Sequence, residues 1–220
     1  MRWAGLIDST DKFVIGNRTC IDGHRDFDCG PLLDKYKKRV VRALALEPGM
    51  SVRIKDVEIR ATYAKHVEAV DGERRLEDSC LGYKIITRHG VLGITGDTEW
   101  HPRLAEDFAG ADLIIAYVTQ EAERAGSRTQ KDYGLTIPNE FHRQFLGELG
   151  VAELSKNLKP PKGVILTDFG DQLKSPGGDY DIMPGMMAAR LEEEVGVPMK
   201  AAAPGMVVHM DRTSLSFEYW

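Results

Sequence analysis

Cysteine is scarce in this chain: Cys20, Cys29 and Cys80 are the three among 220 residues, an odd count. Such a count builds no disulfide framework and suits a reducing compartment. No run approaches the roughly 18 consecutive apolar residues of a membrane span. The opening MRWAGLIDSTDK is too short and too polar for a secretory signal. These absences lead to the expectation of a cytoplasmic protein that does not enter a membrane. Basic charge is not in excess either. With 29 Lys and Arg against 34 Asp and Glu, the formal net charge is -5, which argues against sequence-independent nucleic-acid binding through an overall basic face. Internal repeats and low-complexity tracts are absent too. What remains is a globular composition, 42% hydrophobic and 29% charged, long enough to bury a sizeable core in one domain.

Cys20, His24 and Cys29 lie close together in CIDGHRDFDC. Their spacing matches no zinc knuckle and no second pair lies nearby, so a metal site is not expected there. Cys80 reads as a small buried apolar residue.

Residues 1–31 are irregular, with one strand-like run at 13–15. Residues 32–46 (LLDKYKKRVVRALAL) place Leu33, Tyr36, Val40, Val41 and Leu44 near the helical period, which predicts a helix with a solvated basic face. Glu47-Pro48-Gly49 stops it. Strand-like runs follow at 51–55, 57–63, 82–87 and 91–95, and their short turns predict an antiparallel meander. The polar stretch 67–81 between the second and third reads as a surface excursion or a substrate loop. Beyond residue 118 a loop-like segment runs to 139. A helix with breaks at Gly147 and Gly150 is expected over 141–158, a buried strand over 163–167, and a helix over 184–195 with Gly196 as its stop.

Asp97 follows the apolar strand 91–95 directly. Gly96 permits a sharp turn there, and Thr98 is placed to cap whatever comes next. Strand, GDT, helix, and then GADLII entering another strand together resemble the second half of the metallo-β-lactamase superfamily. Other pieces occur in the same order: His66 after the run 57–63, KGVILTDFGDQ at 162–172, and AAAPGMVV at 201–208 as the closing hairpin. The resemblance spans roughly 46–210, leaving 1–45 as an N-terminal segment and helix and 211–220 as an aromatic tail. It implies an α/β fold, an αββα sandwich incomplete at its N-terminal side. It also implies that His66, Asp97 and Asp168 are metal ligands, with Asp97 bridging two ions and His66 and Asp97 serving catalysis.

Two departures from the family pattern stand out. The HxHxDH motif, which supplies most of the family's ligands, is missing. Asp168 stands where most relatives carry a late histidine, and a carboxylate shifts preference from zinc toward manganese, magnesium or iron. The resemblance therefore implies a metal-dependent hydrolase acting on a phosphodiester or similar small, nucleotide-like ester. A second polypeptide or an upstream segment would supply the missing donors, in a homo- or hetero-oligomer. The alternative is a catalytically silent relative kept for binding or assembly. The GDT motif, His66 and Asp168 together favour the first reading, and the missing motif favours the second.

Overall fold

The computed structural model describes residues 13–23, 42–70, 73–77, 80–119, 145–170 and 182–219. At the amino end, β1 (Phe13–Gly16) is followed by the short helix α1 (Arg18–Asp22), capped by the Asn17 side chain on the Cys20 N–H. β2 (Arg42–Ala45) then pairs with β1 in parallel. This overturns the helix expected over 32–46 at its carboxyl end, while residues 32–41 lie outside the described residues. Alternating Leu and Ala in ALAL suit either state. Pairing with β1 decides between them, and the Leu46 N–H extends the ladder onto the Gly16 carbonyl at 2.9 Å.

The meander appears as expected. β3 (Ser51–Ile54), β4 (Val57–Tyr63), β7 (Leu81–Thr87) and β8 (Gly90–Ile94) pair antiparallel in succession. Between β4 and β7, the polar stretch read as an excursion is itself a hairpin of β5 (His66–Val70) and β6 (Glu73–Glu77). Its polarity reflects a ribbon that belongs to no larger sheet among the described residues.

Past β8 the connections become helical crossovers and the pairing turns parallel. Helix α2 (Pro102–Asp107) leads to β9 (Leu113–Thr119), α3 (Gly147–Leu158) to β10 (Val164–Phe169), and α4 (Ile182–Val195) to β11 (Met199–Ala201). The result is one mixed seven-stranded sheet ordered β11-β10-β9-β8-β7-β4-β3. Two helix ends follow the sequence closely. Gly147, read as a break, opens α3, and Gly196 stops α4 at φ +71 with its N–H on the Glu192 carbonyl.

Helices α2, α3 and α4 cover one face of the parallel half. Leu104, Phe108, Val151, Leu154, Met187 and Leu191 pack there on Ile114, Ala116, Val164 and Leu166. Gly93 makes that contact possible, because a Cβ at this position would lie 2.6 Å from Ile114 Cδ1 and 2.7 Å from Phe108 Cδ1. On the sheet's other face lies the hairpin of β12 (Met206–Met210) and β13 (Leu215–Tyr219). A cavity of about 150 Å³ separates Leu215 and Phe217 from Leu113 and Ile165. The aromatic tail is thus a strand as far as Tyr219, and Trp220 lies outside the described residues. The whole is the α/β arrangement expected, mixed sheets with helices outside.

Candidate active site at the carboxyl ends of the parallel strands

Strands β8, β9 and β10 run parallel with Ile94 beside Ile115 and Tyr117 beside Thr167. Their carboxyl ends therefore open on one edge of the sheet, the place where side chains on departing loops can meet. Thr95 fixes the first exit. It is fully buried, its N–H donates to the Ile115 carbonyl at 3.0 Å, and its Oγ1 accepts from the Tyr117 N–H at 3.0 Å. Gly96 then turns at φ +62, and a Cβ on it would meet the Leu81 carbonyl oxygen at 2.8 Å. Both the handedness and the close approach require glycine. Asp97 leaves the sheet at this turn, half-buried.

Thr98 does not cap the next helix. It is buried, and its Oγ1 accepts the Lys65 N–H at 2.9 Å while donating to the Glu99 carbonyl at 2.9 Å. The N-cap position of α2 falls instead to His101, followed by Pro102 in the first turn. The Glu99 N–H returns to the Lys65 carbonyl at 2.8 Å, and the side chains of Lys65 and Glu99 form an ion pair. This zipper seats His66 next to the loop that carries Asp97. The His66 imidazole is buried at 7% exposure, its ring centroid 5.4 Å from that of Phe145 just ahead of α3.

Asp168 lies at the end of β10, exposed, with Oδ2 accepting from Thr119 Oγ1 at 3.0 Å. Asp168 and Thr119 both adopt left-handed backbone, at φ +55 and +54. For residues other than glycine this costs about 1–3 kcal/mol each and persists only where the surroundings impose it. Two residues before Thr119, the Tyr117 hydroxyl is pushed above its ordinary pKa by burial first, then by the negative charges of Asp168 and Asp97. A phenol of ordinary or raised pKa is protonated near neutral pH and is a neutral hydrogen-bond donor.

Asp97 follows β8 and Asp168 lies at the end of β10, the two strands on either side of β9, which carries Tyr117 and Thr119 at its exit, and Lys65 joins His66 to the Asp97 loop. Tyr117 and Thr119 were not singled out by sequence. Their signal was the alternation of LIIAYVT, which places 117 and 119 on one face of a strand at its exit. Among the described residues no three His, Cys, Asp or Glu side chains approach closely enough to hold a metal ion. The described donors by themselves do not make a complete metal centre. Cys20 is exposed on α1, and His24 and Cys29 lie outside the described residues.

No protein-family model matches the chain. It is 28% identical over 108 residues to the uncharacterized protein MJ1374 of Methanocaldococcus jannaschii, covering 49% of this chain and 36% of that protein. Among solved structures it is similar to zinc-bound PqqB from Methylobacterium extorquens, with TM-score 0.62 and 11% identity over 90% of this chain and 64% of PqqB. The metallo-β-lactamase fold protein YhfI from Bacillus subtilis gives TM-score 0.58 and 11% identity over 95% of this chain and 65% of YhfI. An isothiocyanate hydrolase from Delia radicum gut bacteria gives 0.54 and 10% over 92% and 70%. At these identities the likeness is one of fold. The chain spans about a third of its curated relative and just under two thirds of PqqB and YhfI.

Proposed function

We propose that this chain, built on the metallo-β-lactamase fold, carries the later half of a metal-dependent hydrolase site acting on a phosphodiester or similar small ester in the cytoplasm. The observation that carries the reading is that Asp97 and Asp168 stand at the carboxyl ends of β8 and β10 on either side of β9, Asp168 bonded to Thr119 at the β9 exit. Two carboxylates and a neutral donor at one strand edge are parts that ester hydrolysis uses. The carboxylates hold or orient a cation and a water, and the phenol donates to an oxygen that gains negative charge. The neighbours support the chemistry at class level, one being zinc-bound and another a hydrolase by name.

Because the described donors do not make a complete centre, the histidines would come from a second polypeptide or from another segment. Asp168 in place of histidine directs the expectation toward manganese or iron as much as zinc. The same lack of three converging donors favours the second reading, a silent relative serving assembly, and one experiment separates the two. Manganese titrated into the purified chain and followed by electron paramagnetic resonance should report one weak site, lost in both Asp97→Ala and Asp168→Ala. No binding by the wild-type chain, or binding unchanged in both variants, would leave the assembly reading standing.

A further inference from the structure

His101, at the N-cap position of α2, has no part in the site as described so far. It is 9% exposed, and its Nε2 is buried with no hydrogen-bond partner. The ring stands edge-on to Tyr63, centroids 5.2 Å apart, and the Arg103 guanidinium lies 5.2 Å from the centroid of the same tyrosine. Tyr63 ends β4 and runs through fully buried Ala64 into Lys65 and His66. The contact therefore continues the zipper in which Thr98 and Glu99 are bonded to Lys65. His101 closes it at one end.

We propose that His101 is a positioning residue, whose neutral imidazole packs the 96–101 loop onto Tyr63 and so fixes Asp97 relative to His66. A neutral imidazole tolerates a partnerless Nε2 as a bare lone pair, whereas an imidazolium must donate from both nitrogens. A buried cationic donor without an acceptor is costly. The charged groups facing the ring are Arg103 and Asp107 on α2, Glu99 in the loop, and Lys65 after β4. Neither carboxylate is at liberty to compensate: Glu99 pairs with Lys65, while Asp107 lies 3.5 Å from Arg103 and accepts the Tyr63 N–H at 3.2 Å. Burial is accordingly the leading influence on His101 and lowers its pKa.

The sign follows from linkage. The folded state binds this proton less readily than the unfolded chain, so the contribution is complete above the ordinary histidine value of 6.5 and is lost as pH falls from there through the lowered folded value. Protonation should release the ring and loosen the zipper. The proposal rests on His66 and Asp97 working together, yet its test reads the loop and not the metal.

Hydrogen-exchange protection of the Lys65 and Glu99 amides, corrected for intrinsic rate, should fall several-fold between pH 7.5 and 5.5 in the wild-type chain. In His101→Phe, which keeps a ring against Tyr63 but takes no proton, protection should not change across that range. Equal protection at both pH values in the wild type would overturn the proposal, as would an equal loss in the Phe variant. Should the variant fail to fold, the His101 Cε1–H resonance of the wild-type chain decides. A titration midpoint below that of a free imidazole is expected, and one at or above it would end the argument.

Discussion

Glu148 occupies the first turn of α3 with no exposed surface, and its Oε1 accepts from Arg190 Nε on α4 at 2.6 Å. Acidic residues early in a helix complement its positive end, but full burial makes the partner decisive. Arg190 keeps 31% of its side chain exposed, so when the carboxylate is removed the guanidinium can turn partly to water. Glu148→Ala should then cost about 3 kcal/mol, the low end for breaking a buried pair. In a chain of this size that lowers the thermal midpoint by about 6–12 °C. Calorimetry would check it, and an unchanged midpoint would mean that the pair contributes nothing to joining the two helices. Nothing in the sequence marked this pairing. Glu148 and Arg190 are 42 positions apart, and only the docking of α3 on α4 makes one the partner of the other.

At the scale of elements, Gly93 shows how a single small residue sets a layer distance. Helix α2 ends at Phe108, whose ring enters the space above Gly93 together with Ile114. In Gly93→Ala the added methyl must displace one of two fully buried side chains, an overpacking cost of about 1–3 kcal/mol. The gain from reduced backbone freedom in the unfolded chain, about 0.4–1 kcal/mol, offsets only part of it. Net destabilisation in chemical denaturation is the expected outcome, and a stabilised variant would show that the helix layer is softer than its packing implies. Elements whose hydrophobic period is long and regular were legible in the sequence, β3, β4, β7 to β10 and α4 among them. The stretch 42–45 was misassigned because LAL satisfies two periods at once, and the hairpin β5–β6 was missed because a polar ribbon carries no apolar alternation to read.

For the molecule as a whole, β3 and β11, the two edge strands of the seven-stranded sheet, have no strand on their outer sides among the described residues. Ile182 and Met186 stand more than half exposed on α4, beside a groove of about 420 Å³ lined by Ala188, Ala201, Ala202 and Met199 on the β11 side. Phe217 and Tyr219 of the tail are engaged within the chain, with Lys200 Nζ 4.4 Å and 5.6 Å from their ring centroids. Open edges are ordinarily covered or blunted. An assembly with a second copy or another polypeptide is therefore the expected state at micromolar concentration, and native mass spectrometry would show it. A stable monomer would count against the partner, and a monomer holding two tightly bound metals would mean that other residues are the ligands.

The order of motifs along the chain carried the resemblance that implied the fold class and pointed to His66, Asp97 and Asp168, and the apolar strands and glycine turn in that order are local patterns with local physical causes. Tertiary structure alone decided that β9, with Tyr117, lies between the strands that lead to Asp97 and Asp168, that Thr98 bonds to Lys65 instead of capping a helix, and that His101 packs on Tyr63 with its Nε2 buried and without a hydrogen-bond partner. Each of these depends on segments distant in the chain meeting at strand ends. Register and packing govern those meetings, and no window of consecutive residues contains them.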